Sequence, residues 1–236
     1  LTATLVLEGD SRVHGTNSNV TSGTALGMVL TDPGAGYVPG NFRVINRGGS
    51  GNQIGDMVTR RDAVSPGVYA ADMQLAGEKH LAFIMGVNDG GLSGDTAYSP
   101  TVANTAARGD AIVAAEKTML YTGTGTGFLE KGWTVTRMVE PIVAASPSVS
   151  ILQQRVGIRA PAYLTDTLSG AGQLYDGKLR RLELPLVAVG TVTPFNQPAD
   201  IPNAYIDADG THPNQLGVQL YASGGDTPAN GWGAVV

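Results

Sequence analysis

The sequence predicts an α/β fold: a three-layer, doubly wound parallel sheet of about five strands, and three observations carry the prediction. Five short apolar runs recur along the chain, rich in Val, Ile and Leu without strict alternation, as in strands covered on both faces. The segments between them hold apolar residues at helical spacing, so strands and helices alternate. The chain has 236 residues and is 42% hydrophobic, which suits one domain over 1–236 with a sizeable buried core and excludes a disordered chain.

The predicted strands are Ala3–Glu8, Phe42–Asn46, His80–Met85, Ser148–Leu152 and Pro185–Val189. Helical spacing runs over Thr101–Leu120 through Ala111, Ile112, Ala115 and Met119. It recurs over Trp133–Ala145 through Val135, Met138, Val139, Ile142 and Val143, where Pro141 is expected to kink or split the helix. A third helix is predicted over Leu168–Leu182, with Arg180-Arg181 suiting its last turn. A fourth, over Asn214–Ser223, follows Pro213, a residue suited to a helix start. The Gly-rich stretches 86–95 and 121–132 read as loops, and Gly224–Val236 as an irregular tail. Within 121–132, Gly123-Thr-Gly-Thr-Gly127 misses the third glycine of a dinucleotide fingerprint and reads as a flexible loop.

Composition excludes several function classes. Charged residues are 15% of the chain, well under the ~25% of an average domain, and 33 glycines are about twice the usual share. Fifteen basic against twenty acidic side chains give a net charge of −5, with no basic stripe to follow a phosphate backbone, so no nucleic-acid partner is expected. No run approaches eighteen apolar residues, so no membrane span is expected. Cysteine is absent, which removes disulfides, thiolate nucleophiles and cysteine zinc sites. No two of the three histidines stand at i,i+4, and Asp207-Ala-Asp-Gly lacks the glycine and glutamate of a calcium loop, so no metal is expected. The start at Leu1, with neither Met nor a basic leader, and the low-charge, Gly/Thr-rich composition suit a mature secreted protein. They equally suit a domain cut from a surface or particle-associated protein.

The chemistry concentrates in few residues. His80 opens an apolar strand at the end away from the usual α/β ligand site, so a structural role is expected. His14 reads as a surface or rim residue. His212 lies in Asp207-Ala-Asp-Gly-Thr-His-Pro-Asn214, with Asp209 three residues upstream, close enough to accept an imidazole Nδ1–H and fix the tautomer. Asp207 is the rival, and spacing favours Asp209. Ser11 stands in Leu7-Glu-Gly-Asp-Ser-Arg12, where the first strand ends in a turn, at the sheet edge where ligands bind. Gly-Asp-Ser alone is a common turn tripeptide. Here the second strand runs into Asn46-Arg-Gly-Gly-Ser-Gly51 and the third into Gly86-Val-Asn-Asp-Gly-Gly91.

These four blocks, in this order across residues 9 to 212, resemble the SGNH/GDSL hydrolase superfamily, a flavodoxin-like α/β fold named for its Ser, Gly, Asn and His. The resemblance implies Ser11 as nucleophile, His212 as general base and Asp209 as the residue orienting it. It implies an oxyanion hole from the backbone N–H groups of Ser11 and Gly51 and the side-chain amide of Asn88. It implies no cofactor. A glycine at 51 is expected because close substrate approach leaves no room for a Cβ. Arg12 stands where the family often has Leu and is expected to place a cation at the cleft rim. The stretch 91–147 is longer than a minimal member needs and reads as an insertion shaping the cleft or an interface. Asp10, Asn46 and Asp89 are expected to brace their loops. Trp133 and Trp232 are expected in the core or an interface ahead of sugar stacking.

The resulting expectation is a serine esterase acting through an acyl-enzyme. With 6% aromatic residues and no amphipathic segment that would form a lid over a long acyl groove, short acyl esters are favoured. O-acetyl groups on a carbohydrate lead, so the partner is a small-molecule or glycan ester. The alternatives are a lipase, thioesterase or arylesterase of the same superfamily, or a non-catalytic glycan-binding domain of a surface or virus-particle appendage.

Overall fold

The computed structural model describes residues 3–15, 26–31, 36–52, 56, 75–84, 88, 120–139, 179–183, 189–192, 197–199, 203–207, 209, 212–226, 228 and 231–236. Five parallel strands form the main sheet: β1 (Ala3–Gly9), β2 (Phe42–Asn46), β3 (Glu78–Ile84), β4 (Thr134–Val139) and β5 (Leu179–Glu183), in the order β2-β1-β3-β4-β5. The chain leaves β1 towards β2 and then returns to its other side for β3, so the carboxyl ends of β1 and β3 flank the switch point where α/β sheets bind ligands.

All seven residues of β1 are buried, which explains its continuous apolar run. Register sorts them: Leu5, Leu7, Ala82, Ile84 and Met138 share one face, and Val6, Leu81, Phe83 and Val135 the other. The first face is covered by the short helix α2 (Leu26–Thr31), by α3 (Gln215–Ser223) and by a 3₁₀ turn at Trp232–Val235, which join it in one apolar cluster. Trp232 and Trp133 are both fully buried, so neither is placed to stack on a sugar. His80 is buried within β3, bonded through Nε2 to Glu78 (2.8 Å) and edge-on to Phe42, in keeping with a structural role.

Several sequence expectations need correction. The predicted helix over Trp133–Ala145 contains β4, and the predicted helix over Leu168–Leu182 contains most of β5. β4 therefore lies inside the 91–147 segment read as an insertion, and this part of it is sheet interior. The predicted fourth strand, Ser148–Leu152, lies outside the described residues, as does Thr101–Leu120 except for the buried Leu120. Of the predicted fifth strand only Val189 is described. It opens β6 (Val189–Val192), which pairs antiparallel with β7 (Gln197–Ala199) in a separate ribbon. The tail is less irregular than expected, since its 3₁₀ turn packs Trp232 and Val235 into the core. Helix α3 forms where expected, capped by the Asn214 side chain on the Gly217 N–H (3.0 Å), with Pro213 one residue ahead of the cap. Among the described residues no helix is long and apolar enough to cross a membrane.

The loop Gly123–Gly127, read as flexible from its composition, is pinned by one carboxylate. Glu130 accepts the Thr122 hydroxyl (2.7 Å) and the backbone N–H groups of Thr122 (3.0 Å), Gly127 (2.8 Å) and Gly125 (3.0 Å). Burial works against the Glu130 charge, but these donors outweigh it and hold the carboxyl at about 2 instead of 4.5. A depressed carboxyl pKa contributes stability in full above about pH 4.5 that is lost as pH falls towards 2. Glu130→Gln is expected to cost on the order of 1 kcal/mol at pH 7, with solvent screening discounted. Urea unfolding of both proteins across this range checks it: the gap should close on acidification, and a pH-independent gap would assign the effect to packing instead of charge.

Candidate active site

At the sheet's carboxyl edge the described residues of the four sequence blocks come together. β1 ends at Gly9, and Asp10 caps the one-turn helix α1 (Ser11–His14) by accepting the Arg12 N–H at 3.0 Å. Ser11 is thus the first residue of a helical turn rising from the end of β1. Gly9 must be glycine because an added Cβ would lie 2.5 Å from Val13 Cγ2 and 2.8 Å from the Ile84 carbonyl. At the end of β2, Asn46 reaches back to this turn: its Nδ2 donates to the Val13 carbonyl (2.7 Å) and its Oδ1 accepts the Gly48 N–H (2.9 Å). Asp10 and Asn46 therefore brace their loops as expected, while Asp89 lies outside the described residues.

His212 comes from the far end of the chain. An isolated bridge between Ile206 and Pro213, with Asp207 N–H on the His212 carbonyl (2.9 Å) and Asn214 N–H on the Tyr205 carbonyl (3.0 Å), closes a narrow loop just ahead of α3. Within that loop Asp209 holds His212 twice. Its Oδ1 accepts the His212 backbone N–H at 3.0 Å, and its Oδ2 lies 2.5 Å from Nδ1. The other ring nitrogen, Nε2, lies 2.6 Å from Ser11 Oγ, across 201 residues of sequence. The Asp209 bond selects the tautomer with hydrogen on Nδ1, which leaves Nε2 as acceptor for the Ser11 hydroxyl proton. Asp209, and not Asp207, is the carboxylate on the ring. This is the hydrogen-bonded order that general-base activation of a serine requires.

Gly51 and Asn88 lie after β2 and β3. Gly51 is exposed, and among the described residues a Cβ there would meet nothing within 4 Å. Its φ of +77° favours glycine by itself, because a left-handed backbone disfavours a side chain. Asn88 is partly buried and donates Nδ2 to the Asn52 carbonyl at 3.0 Å. Sequence reasoning passed over Asn52, whose one signal was its place directly after Gly51.

Arg12 also departs from expectation. It is 3% exposed and clamps Asp10, with Nε 2.8 Å from Oδ1 and Nη2 2.5 Å from Oδ2. A guanidinium with a buried carboxylate within reach pairs inward, so it supplies no cation at the cleft rim. His14 is exposed at the end of α1. Among the described residues no group of three or more acidic or histidine side chains could hold a metal ion.

No protein-family model matches the sequence, and no curated protein matches it. Solved structures do. The chain is similar to a member of the lipolytic G-D-S-L family from Veillonella parvula, at 16% identity and a TM-score of 0.51, over 94% of this chain and 95% of that one. It is similar to an acetyl xylan esterase, AlAXEase, at 14% identity and a TM-score of 0.54, over 99% of this chain and 100% of that one. A mutant acetyl-xylooligosaccharide esterase from Geobacillus matches at 15% identity and a TM-score of 0.52, over 94% of this chain and 91% of that one. At such identities the likeness is one of backbone architecture, and this chain has the α/β fold of the SGNH/GDSL hydrolases.

Proposed function

We propose that the protein is a serine esterase that hydrolyses short-acyl esters, with O-acetyl groups on a carbohydrate as its substrate class. The observation that carries this reading is the continuous chain from Ser11 Oγ through His212 Nε2 and Nδ1 to Asp209 Oδ2, with links of 2.6 and 2.5 Å. Ser11 Oγ attacks the ester carbonyl carbon while its proton passes to His212 Nε2. The resulting imidazolium is stabilised by Asp209, which keeps its negative charge. The carbonyl oxygen becomes an oxyanion, received by the N–H groups of Ser11 and Gly51 and the amide of Asn88. Collapse breaks the bond to the alcohol, which leaves with the Nε2 proton, and an acyl-Ser11 ester remains. Water then gives a proton to Nε2 and attacks the acyl carbon, and the second collapse frees the acid and restores Ser11. The acetyl preference is supported by the two esterase structures of the same fold, whose names give acetyl xylan and acetyl-xylooligosaccharide.

The lipolytic relative of the same fold keeps a longer-acyl reading in view. Hydrolysis of p-nitrophenyl esters from acetate to octanoate separates the two. Turnover is expected to fall with chain length and to vanish in Ser11→Ala. A maximum at octanoate would replace the short-acyl reading with a lipase or thioesterase. No turnover at any length, with glycan affinity unchanged in Ser11→Ala, would replace it with a glycan-binding domain.

A further inference from the structure

We propose that Asn52 is a positioning residue that sets the oxyanion hole by tying the second sequence block to the first and third. The inference rests on the serine-esterase reading, because it concerns groups that act only once an oxyanion forms. Three bonds of Asn52 each reach a different part of the site. Its backbone N–H donates to the Gly49 carbonyl at 3.1 Å and closes the turn that contains Gly51. Its side-chain Nδ2 donates to the Gly9 carbonyl at 3.3 Å, two residues ahead of Ser11. Its own carbonyl accepts Nδ2 of Asn88 at 3.0 Å.

The Gly9 carbonyl also accepts the Gly49 N–H at 3.0 Å, so the second block is moored to the end of β1 at two points. The side chain has a place made for it: a Cβ on Gly49 would overlap the Asn52 carboxamide, which explains the glycine. A carboxamide is planar, so holding one N–H of Asn88 on the Asn52 carbonyl fixes the direction of the other. Each of the three oxyanion donors is therefore linked to Asn52 by a short path: Ser11 stands two residues after its Gly9 mooring, Gly51 directly precedes it in sequence, and Asn88 donates to its carbonyl. Such donors count only when they are aimed before the charge appears, and an error of about 1 Å can cost on the order of 10²-fold in rate.

Asn52→Ala removes the Gly9 mooring. Asn52→Asp keeps the shape but presents an acceptor to the Gly9 carbonyl, and it serves if the alanine variant folds poorly. In both, kcat on p-nitrophenyl acetate is expected to fall roughly 10- to 100-fold with KM within about threefold. Labelling of Ser11 by a fluorophosphonate, whose tetrahedral adduct uses the same donors, is expected to slow by a similar factor. In an Asn88→Ala background the Asn52 replacement is expected to cost much less than in wild type, because part of its effect passes through Asn88. A residue that merely holds the loop together would give the same loss in both backgrounds, and that result overturns the proposal, as does an unchanged kcat in both variants. A wild-type protein that neither turns over esters nor takes the fluorophosphonate would overturn the esterase reading itself, and this inference with it.

Discussion

Asp209→Asn is expected to lower kcat by about 10⁴-fold with little change in thermal stability. The carboxylate accepts two N–H groups of His212, from the backbone at 3.0 Å and from Nδ1 at 2.5 Å. An asparagine has only one acceptor oxygen for these two donors. If that oxygen stays on the backbone N–H, its NH₂ faces Nδ1 and drives the ring proton to Nε2, where it blocks acceptance from Ser11. Ser11→Ala and His212→Ala are each expected to cost at least as much. The double variant should be scarcely worse than either alone, since the residues act as one unit. Asp207→Asn is the control, expected to stay within about threefold of wild type because both ring nitrogens of His212 are already engaged, Nδ1 by Asp209 and Nε2 by Ser11. Steady-state kinetics on p-nitrophenyl acetate checks the set. A loss at Asp207 as large as that at Asp209 would reverse their assignment.

Arg12→Met is expected to destabilise the fold by about 3–5 kcal/mol, the usual cost of removing one partner from a buried ion pair. Asp10 is fully buried and Arg12 is 3% exposed, and they face each other through two side-chain contacts at 2.8 and 2.5 Å. Without the guanidinium, Asp10 keeps the Arg12 backbone N–H as a cap contact, too little to offset a buried charge. Lys is expected to rescue only partly, since an ammonium lacks the planar fork that meets both carboxylate oxygens. Because the pair straddles Ser11, kcat should also fall in any Arg12 variant that remains folded. Urea unfolding gives the measurement. A loss below about 1 kcal/mol would mean that backbone donors alone satisfy Asp10.

The blocks around Ser11, Gly51, Asn88 and His212 were legible because each follows a strand or precedes a helix whose local pattern is unambiguous. β1, β2 and β3 are apolar runs bounded by turn residues, and α3 carries a side-chain cap and a terminal glycine. β4 was misread because Val135, Met138, Val139 and Ile142 also satisfy helical spacing. In a parallel strand buried on both faces no alternation exists to contradict that reading. Thr134, Val135, Thr136 and Val139 are β-branched, and that enrichment was the signal for a strand. β5 was misread for the opposite reason: Arg180-Arg181 resembles the charged end of a helix. Among the described residues it is an edge strand, where charged side chains are common.

By itself, the sequence nominated Ser11, His212 and Asp209 for the chemistry, because Asp209 stands three residues before His212 and the four blocks together resemble a known hydrolase superfamily. It determined β1, β2 and β3 as well, since their pattern is local. Tertiary structure alone decided that Ser11 and His212 meet across 201 residues, that Arg12 turns inward to Asp10, and that Gly51 takes a left-handed backbone. It also decided that Asn52 joins three loops. Each of these depends on which distant group occupies the neighbouring space, and such contacts leave no periodicity along the chain to be read.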